Sequence, residues 1–344
     1  MRVHNNFIIL LLAVTINCSA ETDKVVILYS DVMLQHNTGA NHPEQSSRLS
    51  SAINAVKKNK NIAKHLIWPK IKTATDANIQ LAHTNEYISL VKSEVSRLEE
   101  NQHVFLSTGD VVISKDSDKA ARIAVGAGIT AADYIMDEKD ISSAFALVRP
   151  PGHHASANKG MGFCIYNNIA ITAKYLQEHH GLERILIVDY DVHHGNGTQD
   201  IFYNDGSVFY FSVHQHPLYP GTGSPNEIGQ GAGEGTTLNV ELALGANDES
   251  LIGAVKKKLL PAMKKFNPEF VLVSSGFDGH KDDQLGGLSY TSEGYRSVAA
   301  ILKNLANTYA DGRIVFMLEG GYTQSSTNES IVAILEALTQ NTMN

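Results

Sequence analysis

The chain has 344 residues, 43% of them hydrophobic and 19% charged, which fits a folded, enzyme-sized protein and excludes a disordered or low-complexity polymer. Lys and Arg number 28 against 36 Asp and Glu, a formal charge of -8. No basic surplus exists to neutralise a phosphate backbone, so nucleic acid is not the expected partner.

At the N-terminus Arg2 precedes the apolar run Phe7 to Ile16, and Cys18-Ser19-Ala20 supplies small residues before Glu21. That three-part pattern predicts a secretory signal peptide over residues 1–20 and a mature domain over 21–344. The run is too short to span a bilayer. An exported chain, periplasmic or secreted, with no integral membrane segment is expected. Lipoprotein anchoring through Cys18 ranks second, because Thr15-Ile16-Asn17 lacks the small residue such a signal places beside its cysteine. Cleavage would leave only Cys164, so no intramolecular disulfide is available and the core must supply the stability.

Short apolar, β-branched runs follow at Val25–Tyr29, Ala144–Val148, Ile185–Val188, Val208–Val213, Phe270–Val273 and Ile314–Leu318, each bounded by Gly, Pro, Asp or Ser. They read as buried strands. Helical patterns lie between them: Tyr87, Leu90, Val91 and Leu98 share a face, Ala120 to Ala132 is an Ala- and Gly-rich scaffold helix, Ile169 to Leu176 is continuous, and Leu251 to Met263 sets lysines opposite Leu and Val. Strands alternating with helices predict a single α/β domain with a parallel sheet covered on both faces. Gly229 to Gly235 reads as one loop.

In open parallel sheets ligands bind beyond the carboxyl ends of the strands, and four of those ends carry reactive groups. They are Arg149-Pro150-Pro151-Gly152-His153-His154, Asp189-Tyr190-Asp191-Val192-His193-His194-Gly195-Asn196, Ser274-Ser275-Gly276-Phe277-Asp278 and Glu319-Gly320-Gly321-Tyr322. Asp189, Asp191 and His193 are spaced by two, which in an extended segment puts them on one face. Asp191 and His193, joined by Asp278, make a donor set for a divalent cation with positions left open for water and substrate. Zinc leads, with iron or manganese as alternatives, and a capping or salt-bridge cluster at the strand ends is the competing reading. Pro-Pro-Gly turns the chain so that His153 and His154 can both reach one cavity, where imidazole suits general acid and base work. Asp189 and Asn196 are placed to orient them. Tyr322 can donate to a developing oxyanion, although most buried tyrosines are packing residues.

Together RPPGHHA at 149–155, GFC at 162–164, DYDVHHGNGTQ at 189–199, SGFDGH at 275–280 and LEGGY at 318–322 resemble the histone deacetylase and acetylpolyamine amidohydrolase superfamily, in its bacterial or class II-like branch. The likeness runs from Val25 to about residue 335 and includes His36 to Gly39, His42-Pro43-Glu44, Arg48, His83, Tyr87 and YPGTG at 219–223. The resemblance implies the arginase-like α/β fold, an open and predominantly parallel eight-stranded sheet. It further implies Zn2+, with Fe2+ as the alternative, on Asp191, His193 and Asp278; His153 and His154 supported by Asp189 and Asn196; and Tyr322 as the oxyanion donor. Phe163 and Tyr219 match the walls of an acyl-chain channel, Gly162 supplies a carbonyl near the substrate amide, and Asp110 matches an acid that grips the substrate backbone. A structural K+ on the carbonyls around Asp189, Asp191 and His193, with Ser212 and Val213, is also implied.

Two loops depart from the family pattern: Gln284 replaces a proline in the DPLG turn, and Gln45-Ser46 replaces Arg-Pro. Leu285 stands where polyamine-selective relatives carry an acid, so an acyl-lysine-like amine ranks above an acetylpolyamine or other small amide as the substrate. The expected activity is metal-dependent hydrolysis of a linear amide. A binuclear ureohydrolase would need a further carboxylate where Asn196 stands. The remaining rival is a non-catalytic acyl-ligand-binding protein. Cys164, beside the expected channel wall, reads as buried packing.

Overall fold

The computed structural model describes residues 23–138 and 140–340; the expected leader at 1–20 lies outside the described residues. Among the described residues ten strands occur in chain order: β1 (Val25–Leu28), β2 (Leu66–Ile67), β3 (His103–Phe105), β4 (Val112–Ser114), β5 (Ser143–Ala146), β6 (Ile185–Asp189), β7 (Val208–Gln215), β8 (Thr237–Leu242), β9 (Phe270–Ser275) and β10 (Ile314–Leu318). Eight form one sheet in the order β2-β1-β5-β10-β9-β6-β7-β8, and every pairing in it is parallel. Register is set by pairs such as Val26 with Ala144 and Ile187 with Leu272.

All six apolar runs are strands of this sheet, most with ends shifted by one or two residues. The two edge strands, β2 and β8, escaped the sequence reading for a physical reason. Only one face of an edge needs a full apolar set, so β2 is a half-exposed dipeptide and β8 alternates buried with half-buried positions.

A parallel sheet must be covered on both faces, and helices do so. The Ala- and Gly-rich segment is the core of a 21-residue helix, Ser117–Asp137, which packs on helix Asn168–His180. The segment around Leu251 to Met263 is helical but not uniform: α-helix Asp248–Ala254 widens into a π turn at Val255–Leu259 before α-helix Leu260–Phe266. Pro261, which has no N–H to give the ladder, stands just after the widened turn. Among the described residues no helix is long and apolar enough to cross a membrane.

Topology positions the site. β5, β10, β9 and β6 are neighbours at the centre of the sheet, although β10 follows β5 by more than a third of the chain. The four loaded segments therefore leave the sheet side by side. A separate antiparallel hairpin, β3 with β4, carries Asp110 in its connecting loop.

Candidate active site

Asp191 and His193 follow β6, and Asp278 follows its neighbour β9. Strand β6 ends at Asp189, so alternation along an extended backbone is not what gathers these groups: Asp191 and His193 lie in the bend beyond it, and Asp189 turns away to His153. One donor atom from each of Asp191, His193 and Asp278 lies within 4.8 Å of the other two. His193 Nδ1 is 3.0 Å from Asp191 Oδ1 and 3.2 Å from Asp278 Oδ2. Asp191 Oδ2 accepts from Gly320 N at 2.9 Å, and Asp278 Oδ1 accepts from Val192 N at 3.0 Å. Asp278 Oδ2 is buried and makes no hydrogen bond.

A desolvated carboxylate oxygen without a hydrogen bond is costly. Burial raises the pKa of both acids, yet His153 and His193 pull Asp191 well below the usual range, while burial and the Asp191 charge push Asp278 up to about 7. The trio crowds two carboxylates and an imidazole around a shared point, a donor set that suits a divalent cation. Gly320 makes the close approach feasible, since a β-carbon there would lie 2.1 Å from Asp278 Oδ2. A second trio, His153, Cys164 and Glu319, is equally close but already satisfied. Glu319 Oε2 accepts from Gly152 N at 2.6 Å and His153 N at 3.2 Å, and its Oε1 accepts from Ser274 Oγ at 2.9 Å. It fixes the histidine turn. The Cys164 thiol is fully buried, which raises its pKa well above normal, and it donates to the Gly162 carbonyl at 3.3 Å.

His153 and His154 both enter the site, with ring centroids 4.0 Å apart. His153 Nδ1 lies 3.0 Å from Asp189 Oδ2, and His154 Nδ1 lies 2.9 Å from Asn196 Oδ1. An amide oxygen only accepts, so His154 carries its hydrogen on Nδ1 and leaves Nε2 with a lone pair. The two rings differ electrostatically. Burial lowers the pKa of His153, but the carboxylates of Asp189, Asp191 and Glu319 outweigh it and raise the ring to about 10. His154 is driven well below 6.5 by burial and by the neighbouring His153 and His193. Adjacent residues thus present a charged and a neutral imidazole.

A cavity of about 250 Å³ opens onto these groups, lined by His154, His193, Tyr322, Gly162, Phe163, Tyr219, Leu218, Leu285 and Asp110. The Tyr219 ring stands edge-on to His154 at 5.2 Å, and Phe163 edge-on to Tyr322 at 6.0 Å. Phe163 sits at φ 68°, a conformation rare outside glycine. Before it, Gly162 passes so close to His154 that a β-carbon would lie 2.2 Å from the imidazole. Burial keeps the Tyr322 phenol protonated, hence a donor. Asp110, exposed at the mouth, accepts from Gly162 N at 2.7 Å and Tyr219 Oη at 3.3 Å through the same oxygen. Ser212 Oγ faces His214 Nδ1 at 2.9 Å.

Sequence reasoning missed Leu218 on the channel wall, the hold of Glu319 on the histidine turn, and the grip of Arg48 on the tyrosine loop. Arg48 donates from Nε to Gly321 O at 2.5 Å and from Nη2 to Glu319 O at 2.7 Å, with its guanidinium 4.7 Å from the Tyr322 ring centre. Only Glu319 left a usable signal, an acid directly at a strand end.

The histone deacetylase domain matches residues 42–338 of the chain. The protein named Histone deacetylase 10, chloroplastic, of Oryza sativa subsp. japonica is 38% identical over 325 residues, covering 92% of this chain and 73% of that protein. The Probable deacetylase of Archaeoglobus fulgidus is 36% identical over 314 residues, covering 90% of this chain and 85% of the relative. Among solved structures, the crystal structure of the HDA15 HD domain superposes with a TM-score of 0.84 at 34% identity, covering 91% of this chain and 90% of that one. With this domain match, these relatives and this sheet, the chain belongs to the histone deacetylase family of hydrolytic deacetylases.

Proposed function

We propose that the protein is a zinc-dependent amidohydrolase, with iron(II) as the alternative metal, that removes an acetyl or other acyl group from an acylated amine, and that an acyl-lysine-like amine is preferred. The observation that carries this reading is the convergence of two buried carboxylates and the half-buried His193, a neutral imidazole and a protonated phenol on one narrow channel. Asp191, His193 and Asp278 would hold the ion. When bound, it supplies Lewis acidity toward the acyl carbonyl and a water.

The other roles fall to the chain. His154 Nε2 takes the proton of the attacking water, and Asn196 fixes the tautomer that leaves that nitrogen free. The same nitrogen returns the proton to the leaving amine. His153, held charged against Asp189, stabilises the negative charge that develops beside it. Tyr322 donates its hydroxyl to the oxyanion. Phe163, Tyr219 and Leu218 give the channel the apolar walls that an unbranched acyl-amine chain fits, and the Gly162 carbonyl and Asp110 are positioned for the amide and backbone N–H groups of a substrate. Leu285 offers an internal ammonium no countercharge at the rim, which supports acyl-lysine over polyamine. No step uses the potassium that the resemblance implies.

The test is acid release by metal-reconstituted protein across acetyl-lysine peptides, acetylpolyamines and short and long acyl amides. Turnover of the lysine peptides is expected, with Tyr322→Phe lowering kcat about 100- to 1,000-fold. Binding without acid release, unchanged by Tyr322→Phe, would assign a binding protein instead. The leader-like pattern of residues 1–20 supports export, and the N-terminal sequence of the mature protein, expected to start at Glu21, checks it.

A further inference from the structure

Asp283 lies in the turn beyond Asp278, outside both the donor trio and the channel lining. Its carboxylate is shared among three main-chain N–H groups, one from its own turn and two from the distant segment after β10. Oδ2 accepts from Tyr322 N at 2.6 Å and from Thr323 N at 2.8 Å, and Oδ1 accepts from Leu285 N at 3.1 Å. Thr323 is the N-cap of helix Gln324–Thr339, yet its own side chain makes no capping bond. Asp283 reaches across the loop to the N–H of this N-cap residue and of Tyr322 before it, where the positive end of the helix favours a carboxylate.

Tyr322 immediately precedes this cap, so the hold falls on the backbone of the residue whose phenol faces the channel. The preceding Gly321 is at φ 112°, and its freedom would otherwise leave the loop loosely defined. Arg48 grips the carbonyls of Glu319 and Gly321 while Asp283 grips the N–H groups of Tyr322 and Thr323. The other oxygen of Asp283 fixes Leu285 at the rim. One carboxylate therefore joins the wall that carries the oxyanion donor to the mouth that meets the amine side of the substrate.

We propose that Asp283 is a positioning residue for deacylation, setting the Tyr322 hydroxyl against the reacting carbonyl and tying that placement to the rim at Leu285. This rests on the reading of Tyr322 as oxyanion donor. Asparagine keeps the shape but has only one acceptor oxygen, so Asp283→Asn cannot serve both segments.

The experiment compares the metal-loaded full chain as wild type, Asp283→Asn, Tyr322→Phe and the double variant on an acyl-lysine peptide, with melting temperature and metal content measured alongside. Asp283→Asn should lower kcat about tenfold or more at unchanged metal content, because a small misplacement of a catalytic group is costly. In the Tyr322→Phe background the same change should cost less than about twofold, since the hydroxyl it places is gone. An equal fold-loss in both backgrounds would overturn the proposal. Hydrogen exchange supplies a readout that needs no turnover: in Asp283→Ala, which removes both acceptor oxygens, the amides of Leu285, Tyr322 and Thr323 should all exchange faster, and acceleration at Leu285 alone would also overturn it. Absence of acid release by the wild type, or full activity in Tyr322→Phe, counts against the deacylase reading, and hydrogen exchange then decides the Asp283 link by itself.

Discussion

Glu44, Arg48 and Arg149, which brace the segments that leave β5 and β10, are buried as deeply as Asp191 and Asp278 at the channel floor. In the brace, Glu44 Oε1 meets Arg149 Nε at 2.7 Å and Arg48 Nη1 at 3.0 Å. Remaining guanidinium donors go to carbonyls and one hydroxyl: Arg149 Nη1 to Met33 O and His36 O, Arg149 Nη2 to Glu44 O and Thr38 Oγ1, and Arg48 to Glu319 O and Gly321 O. Positive charge is answered inside the protein. Each cluster keeps one carboxylate oxygen without a hydrogen bond, Glu44 Oε2 in the brace and Asp278 Oδ2 at the floor, but Glu44 is met by two guanidiniums whereas at the floor two carboxylates share the one imidazole of His193. A buried acid held between two fixed cations supports structure, whereas two buried acids sharing one imidazole at the end of a cavity suit a cation from outside.

The sharpest way to break this contrast is to empty the floor. Asp278→Ala should abolish metal retention and lower activity by on the order of a thousandfold, while the metal-free protein melts no lower than metal-free wild type, because one of two mutually repelling buried carboxylates has been removed. Metal analysis, acid release and thermal melts check it, and normal metal stoichiometry would reject Asp278 as a ligand. Added Zn2+ should raise the melting temperature of the wild type and leave that of the variant unmoved.

The same operation on the brace should have the opposite signature. Glu44→Gln strands two buried guanidiniums and should cost about 3–5 kcal/mol of unfolding free energy. Denaturant titration reads it. Loss of activity at unchanged stability would show that the two clusters do not divide as described.

Acid gives the smallest and most gradual effect. Burial raises the Glu44 pKa, but Arg149 and Arg48 outweigh it and hold the acid at about 2, below its ordinary 4.5. A depressed carboxylate contributes stability that is complete above the unfolded pKa and lost as pH falls from 4.5 toward 2. His36, held down to about 3 by burial and then by Arg149, stays neutral in the fold, so its contribution is lost as pH falls from 6.5 toward 3. Unfolding free energy should therefore decline in steps below pH 6.5, and Glu44→Gln should flatten the lower step. A decline of equal size in that variant would remove Glu44 as its source.

The sequence by itself determined which chemistry stands at which strand end. Central parallel strands are buried on both faces and read as unbroken apolar runs, so β1, β5, β6, β7, β9 and β10 were legible, together with the acids, imidazoles and phenol that follow four of them. Edge strands β2 and β8 were not, since half-buried positions dilute the pattern. Tertiary structure alone decided that β5, β10, β9 and β6 lie side by side, that the bend after Asp189 rather than strand alternation brings Asp191 and His193 to Asp278, and that neighbouring His153 and His154 differ in charge. It also decided that Asp283 reaches Tyr322 across the loop. The reason is physical: a run of residues records local burial, whereas pKa shifts and shared donors depend on groups that folding brings within a few ångströms from remote parts of the chain.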